Sequence, residues 1–199
     1  MTDRPFHHGN LRAVLLERAE AMLREGGIDG LSLRELARQA GVSHGAPRSH
    51  FVDRQALLDA LVERGFIRLT GDVRRALSGD GSRRARLGRV AQAYVDFAID
   101  DAALMELMFL AKTNGLPPAG SDAATGLFTT LDEAMGPLDP MMHDASSRAT
   151  FALLFGATMQ GIAALVASHR ITREQGGSLV DEAMDALLES RLGTRAITQ

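Results

Sequence analysis

The stretch Ser32–Phe51, which reads SLRELARQAGVSHGAPRSHF, has the pattern of two short helices joined by a tight turn. Ser32 followed three residues later by Glu35 predicts a helix start at which each side chain satisfies a backbone amide. Gly41 predicts the end of that helix, because glycine adopts the left-handed conformation of a helix C-terminus without steric cost. Ser43 can cap a second helix directly after the turn. This is the pattern of a helix-turn-helix, whose second helix lies in the DNA major groove.

The same spacing also fits an ordinary helical hairpin, since caps and glycine stops occur in many helical proteins. The distribution of charge favours the DNA-reading alternative. Residues 1–89 contain 16 Arg and 11 acidic residues, a net charge of +5, whereas residues 90–199 carry a net charge of −8. A basic N-terminal part before an acidic remainder is expected when one end of a chain meets phosphates.

The composition is that of an all-α protein. Its 199 residues suffice for one large core, or for two small domains that share a long helix. Cysteine and tryptophan are both absent, which excludes disulfides and thiolate metal sites and argues against a β-sandwich. Apolar periodicity predicts about nine helices and no strand.

The predicted helices follow one another along the whole chain. Asn10 is expected to cap the first, which runs to about Glu25, and the pair within 32–51 comes next. A long fourth helix covers 53–77, and five further helices follow, among them 141–169 and a last one, 172–191, that starts with the capping box of Thr172 and Gln175.

One segment requires a membrane test. Ala149–Ala167 is free of charge over nearly the length that spans a bilayer. It contains Gln160 and two glycines, lacks an aromatic belt and is the single segment of this kind in the sequence. An apolar helix of this kind also fits the centre of a helical bundle or a dimer interface. We expect no membrane role, and the polar start of the chain predicts a cytoplasmic protein.

The segments FHHGNLRAVLLERAEAMLREGG and VDRQALLDAL flank the helix-turn-helix stretch. Together the three resemble the DNA-binding domain of the TetR family of bacterial transcriptional regulators over about residues 6–69. The resemblance is specific, because several short motifs stand at the family's spacing: Leu31-Ser32-Leu33, Glu35-Leu36-Ala37, Ala40-Gly41-Val42-Ser43 and His50-Phe51. The remainder of the chain matches the family only in its helical layout.

The resemblance implies a helix-turn-helix DNA-binding domain at residues 1–52 and a helical effector-binding and dimerisation domain at 53–199, connected by the long helix 53–77. The last two long helices would pair in a homodimer. Small residues would let helix backbones approach closely and the last helix carries an apolar stripe, although packing within the monomer is the alternative for all of them. The candidate dimer residues are Gly156, Ala163, Ala167, Val180, Met184, Leu187 and Leu188.

The resemblance also implies which side chains meet double-stranded DNA. Arg48 stands where family members usually carry Tyr, and it could contact a phosphate or read a guanine. Arg54 stands where Lys is expected, and Pro47 would remove the first hydrogen bond of the second helix. The candidate DNA-binding residues are Ser32, Arg34, Ser43, His44, Gly45, Arg48, Ser49, His50 and Arg54, whereas Phe51 is expected to anchor the core.

An apolar cavity between the later helices would hold a small-molecule effector, since Met and Phe suit an adaptable pocket. Core packing is the alternative for each of these residues. The candidates are Tyr94, Phe97, Met105, Met108, Phe109, Phe128, Phe155, Met159 and Gln160. Because the chain is acidic beyond residue 90, we expect an apolar, neutral or cationic effector.

The sequence therefore predicts a ligand-responsive transcriptional regulator, a repressor that binds a palindromic operator as a dimer. Two other classes compete with this prediction. An enzyme is not favoured, because the six His lack partners at metal-ligand spacing and no phosphate-binding glycine loop is present, so neither metal nor cofactor is expected. An all-helical carrier of lipids or small molecules could use the same apolar cavity, but it would leave the basic N-terminal third unexplained.

Overall fold

The computed structural model describes residues 11–115, 117–137 and 145–197. Every regular element in these ranges is helical, which confirms the all-α prediction. The α-helices are α1 Leu11–Gly26, α2 Leu33–Gln39, α3 Arg54–Ser78, α4 Arg83–Asp100, α5 Ala102–Asn114, α6 Pro118–Ala134, α7 Ala145–Ala167, α8 Arg173–Glu189 and α9 Arg191–Ala196. Short 3-10 turns occur at Ile28–Gly30 and Pro47–Ser49.

The chain forms two compact units. Of the described residues, the first unit contains those up to Gly65 together with those of Ala103–Asp122, and the second contains Phe66–Ala102 with those from Ala123 onward. The first unit is built on α1 and α2, which pack against each other and against the two 3-10 turns. Its core side chains are almost completely removed from water; they include Leu15, Leu23, Leu36, Leu57 and Leu61.

The second unit is organised around α7, which packs against α4, α8 and α9. Val90, Val95, Met159 and Val180 are each at most 1 % exposed and lie in its core. Apolar burial of this kind supplies most of the stability of a helical domain.

A buried cation closes the end of the second unit. Arg148 of α7 is only 5 % exposed, and its guanidinium donates to the backbone oxygens of Gly136 at 2.7 Å and Ala196 at 3.1 Å. The carboxylate of Asp132 lies 3.3 Å away. Arg148 thus ties the end of α6 and the C-terminal helix α9 to α7.

Several predicted boundaries differ from the structure. α6 begins at Pro118 rather than at 122, and the last predicted helix is two helices, because Ser190 ends α8 and its hydroxyl accepts from the Gly193 N–H to start α9. The capping box of Thr172 and Gln175 is confirmed at the start of α8. The predicted cap Asn10 and the predicted helix start near Met141 lie outside the described residues.

Candidate nucleic-acid interface

The start of α2 is fixed by one side-chain cap. Ser32 Oγ accepts from the Glu35 N–H at 3.2 Å, as predicted. The reciprocal half of the predicted box does not form, because the Glu35 carboxylate instead accepts from Arg38 Nε at 2.8 Å and Gln39 Nε2 at 2.9 Å. These hydrogen bonds, that from Arg38 foremost, lower the pKa of Glu35 to about 2.

The turn after α2 is the predicted glycine stop. Gly41 adopts φ 66°, in the left-handed region. The Val42 N–H donates to Ala37 O at 3.0 Å and the Gly41 N–H to Arg38 O at 3.3 Å, which is the Schellman pattern of helix termination. The Val42 side chain is half-buried.

The second element of the motif is not the α-helix that the sequence predicts. Ser43–His50, which we call the reading turn, contains no α-helix: it consists of turns and the 3-10 segment Pro47–Ser49. Its backbone bonds span three residues, from Ala46 N to Ser43 O at 3.0 Å and from Arg48 N to Gly45 O at 3.1 Å. Pro47 has no N–H to donate, so an α-helical ladder cannot pass through it.

Most side chains of the reading turn face solvent. Ser43, His44, Arg48, Ser49 and His50 are exposed, as is the backbone at Gly45. Ser49 Oγ donates to Ala46 O at 2.7 Å and thereby closes the turn. The structure thus brings these predicted residues together on one short segment and leaves His44, Arg48 and His50 as its long exposed side chains.

Phe51 anchors the end of the reading turn and is 2 % exposed, which confirms its predicted place in the core. Its N–H donates to Pro47 O at 2.8 Å. The guanidinium of Arg12 lies over the Phe51 ring, 5.5 Å from the centroid. The position of the reading turn is therefore set by a buried ring and not by helix propensity.

The other candidate DNA-binding residues lie in the same unit in different settings. Ser32 and Arg34 are exposed at the start of α2. Arg54, at the start of α3, donates through Nε to Leu31 O at 2.8 Å and through Nη2 to Ile28 O. Two edges of the Arg54 guanidinium are thus used to hold the loop before α2.

Part of the candidate effector set meets in the second unit. Tyr94 lies edge-on to Phe155 with ring centroids 6.2 Å apart, and its hydroxyl donates to Gln160 Oε1 at 3.3 Å. Burial raises the pKa of Tyr94 to about 12, so this hydroxyl is neutral at physiological pH. These three residues join one face of α4 to one face of α7.

The remaining effector candidates do not form one cluster. Met105, Met108 and Phe109 belong to the first unit, where Met108 is buried against Gly65 of α3 and Phe109 is 42 % exposed. In the second unit Phe128 is 47 % exposed, whereas Phe97 and Met159 are buried in the core. Apolar residue type alone does not distinguish a pocket wall from core packing, which is why the sequence grouped them.

The second unit also has a polar cleft that the sequence did not predict. It has a volume of about 510 Å³ and lies between α3 and α4. Phe97 and Ala93 line it, Arg68 pairs with Asp101 at 2.7 Å within it, and Arg89 borders it. The charged residues recur at helical spacing on both helices, a signal that would indicate a shared polar face but not a cleft.

The candidate dimer residues are mostly buried within their own unit. Ala163, Val180, Met184 and Leu187 are at most 8 % exposed, because the stripe that they form faces the core. Gly156 and Leu188 are half-buried, and Ala167 is exposed. A different face of α7 is open to solvent: Leu153 is 74 % exposed, and Ala157, Gly161 and Ala164 follow it at helical spacing.

In the part of the chain that is described, α7 alone is long and apolar enough to cross a membrane, by length and composition. Core helices of soluble proteins pass the same test, and α7 packs against three helices of its unit. No group of three metal-binding side chains occurs among the described residues.

The chain is similar to known proteins both in sequence and in fold. Residues 15–61 match the family model of bacterial regulatory proteins, tetR family. No curated protein sequence matches the chain. Among solved structures, a protein of unknown function from Rhodococcus sp. RHA1 is 38 % identical, with 99 % of this chain and 100 % of that chain covered and a TM-score of 0.79.

Two further structures share the fold at lower identity. A proposed TetR-family transcriptional regulator from Rhodococcus sp. is 20 % identical, with 89 % of this chain and 98 % of that chain covered and a TM-score of 0.65. The fatty acid degradation regulator FadR from Bacillus halodurans is 14 % identical, with 96 % and 98 % covered and a TM-score of 0.69.

Proposed function

Because this chain belongs to the TetR family of bacterial regulatory proteins and is therefore a transcriptional regulator, we propose that it is a ligand-responsive repressor. It binds a palindromic operator in double-stranded DNA as a homodimer, in the cytoplasm, and a small apolar effector releases it. It has no enzymatic activity and needs no cofactor. Residues 1–52 form its DNA-binding domain and 53–199 its effector-binding and dimerisation domain.

One observation carries the DNA-binding part of this proposal: the reading turn is exposed and yet anchored at both ends. The Schellman turn at Gly41 fixes its start, and the buried Phe51 fixes its end. Arg48 projects from it, exposed to solvent and with no carboxylate partner among the described residues. An exposed guanidinium on an anchored turn is suited to phosphate contact or to bidentate recognition of guanine.

The exposed face of α7 supports the homodimer. A contiguous row of Leu153, Ala157, Gly161 and Ala164 presents small and apolar groups without a charge. Small side chains allow the close approach of a second helix, and apolar area of this kind is costly to leave in water. The dimer contact therefore uses this row and not the buried stripe that the sequence suggested.

The group of Tyr94, Phe155 and Gln160 supports the effector site. It combines two aromatic rings with a neutral hydroxyl and an amide, the few polar groups that orient a mostly apolar ligand. Effector binding favours a conformation of the dimer in which the two reading turns no longer match half-sites about one helical turn of DNA apart. A coupling free energy of about 1 to 3 kcal/mol is sufficient for regulation.

The test is capture of genomic DNA fragments by the protein, sequencing of the captured DNA, and titration of the enriched duplex by fluorescence anisotropy at several salt concentrations. We expect a palindromic site and a steep fall of affinity with salt, because phosphate contacts release counterions. Absence of any enriched site, together with affinity that does not depend on salt, would contradict the proposal. That result would favour an all-helical carrier of small molecules, which uses the apolar second unit without DNA.

A further inference from the structure

Arg12 lies in the first turn of α1, outside the helix-turn-helix stretch, and is exposed. Its guanidinium carbon is 5.5 Å from the centroid of the Phe51 ring. Phe51 directly follows the reading turn and is bonded to it through Pro47 O. The guanidinium of Arg12 thus contacts the residue that directly follows the reading turn.

The ring that Arg12 contacts is buried. Phe51 is 2 % exposed, and the guanidinium carbon of Arg12 lies over its ring, 5.5 Å from the centroid. Stacking on an aromatic face is attractive and orients the planar guanidinium. Less conformational entropy is then lost when this cation meets a ligand.

Several arginines in the first unit are already engaged by partners within the unit. Arg38 pairs with Glu35, Arg64 pairs with Glu20 at 2.5 Å, and Arg54 donates to backbone oxygens. No carboxylate in the described ranges pairs with Arg12, whose charge is therefore uncompensated. The contact over the ring uses no carboxylate, so the N–H groups of the Arg12 guanidinium are available to donate.

We propose that Arg12 is a phosphate-contacting residue of the DNA interface, oriented by the Phe51 ring. The inference rests on the proposed DNA-binding function and adds a contact from α1 to it. The ligand is the phosphate backbone of duplex DNA, so the contact contributes affinity without sequence preference. Arg12 holds the duplex beside the reading turn while the turn faces the bases.

The experiment measures binding of a fluorescein-labelled duplex of 30 base pairs with mixed sequence, at five salt concentrations, so that no knowledge of the operator is needed. Arg12→Ala is compared with Arg18→Ala, a matched control in which an exposed arginine on another face of α1 is removed. We expect Arg12→Ala to weaken binding about tenfold and to reduce the salt slope by about 1, whereas Arg18→Ala matches the parent protein. Arg12→Lys keeps the charge but not the planar guanidinium, so it retains the salt slope with an intermediate loss of affinity.

Thermal unfolding followed by circular dichroism confirms that each variant folds like the parent protein. Equal affinities for the parent protein and Arg12→Ala, while Arg48→Ala is weakened, would overturn this inference and leave the proposed function in place. Equal losses for Arg12→Ala and Arg18→Ala would also overturn it, because they would show a general charge effect. If the parent protein does not bind the duplex at low salt, the proposed function itself fails, and this inference fails with it.

Discussion

Arg48 is the only arginine or lysine in the reading turn, and its side chain is exposed on a segment that proline and Phe51 hold in place. We expect Arg48→Ala to weaken binding of the enriched operator tenfold or more, since a guanidinium contact to a base contributes about 1 to 3 kcal/mol. Fluorescence anisotropy titration gives the affinities. Arg38→Ala is the matched control, because that guanidinium is engaged by Glu35 on α2. Unchanged affinity and unchanged site preference in Arg48→Ala would contradict the prediction.

Glu35 gives a pH-dependent contribution to stability. Its pKa is lowered from 4.5 to about 2 by the hydrogen bonds from Arg38 and Gln39, so the carboxylate stabilises the folded state fully above pH 4.5. That contribution is lost as the pH falls from 4.5 through about 2. We expect the difference in free energy of unfolding between the parent protein and Glu35→Gln to shrink over this range, measured by urea unfolding at several pH values. Glu25→Gln, at an exposed position near the end of α1, is the control; a constant difference for Glu35→Gln would show that the carboxylate does not act in this way.

Single-residue roles were predictable where they depend on neighbours in sequence. The Ser32 cap, the Gly41 stop and the burial of Phe51 each follow from a few adjacent residues, and each is confirmed. For Arg54 the sequence predicts only a contact with DNA. The structure shows that it holds Leu31 O, an acceptor 23 residues away that only the folded chain brings within reach.

At the scale of elements, the reading turn is the main departure from the expected motif. Gly45 has a negative φ, and a Cβ built on it would meet nothing within 4 Å. We expect Gly45→Ala to raise the free energy of unfolding by about 0.4 to 1 kcal/mol, since alanine restricts the unfolded chain, and to raise Tm by about 1 to 4 °C. DNA binding should weaken, because the added methyl group keeps the backbone away from phosphates.

Gly41→Ala is the matched control for that substitution. Gly41 has φ 66°, a conformation that costs an L-residue about 1 to 2 kcal/mol, so this variant should be less stable than the parent protein. Differential scanning calorimetry measures both variants. A lower Tm for Gly45→Ala would show that the reading turn has no room for a side chain.

Helix periodicity located most helices because a long amphipathic element repeats its signal over several turns. The two elements that were wrong are short: the reading turn, interrupted by Pro47, and α9, which is separated from α8 by Ser190. In each, a single capping or breaking residue decides the outcome. Such a residue competes with an apolar pattern that continues across it. Periodicity alone therefore predicts one regular helix where the structure has a break.

At the scale of the whole molecule, the exposed row on α7 leads to a prediction about assembly. Leu153→Glu places a charge at the single leucine of that row, which is 74 % exposed, and we expect it to convert the proposed homodimer into a monomer. Light scattering coupled to size-exclusion chromatography measures the mass. Leu110→Glu, at a leucine of α5 that is 47 % exposed, is the matched control and should remain dimeric. A dimer that persists in Leu153→Glu would exclude this row as the contact.

The fold class and the family were predictable from local patterns, whereas the grouping of effector candidates was not. Whether two apolar side chains share a cavity depends on contacts between helices far apart in sequence, such as Tyr94 with Gln160. The buried stripe of Val180 and Met184 shows the same limit, since an apolar helix face is equally compatible with an internal core and with a partner. Only the contacts in the folded chain show whether such a face packs against the core or is open to a partner.

The shortness of the reading turn has a consequence for how the regulator finds its target. In the proposed complex with DNA, the three long exposed side chains of the reading turn would distinguish few base pairs in each half-site, so the recognised sequence would be short. Many chromosomal sequences would then differ from the operator by one or two positions and compete with it. Occupancy of the operator would be set as much by the number of protein copies in the cell as by the affinity of any single site.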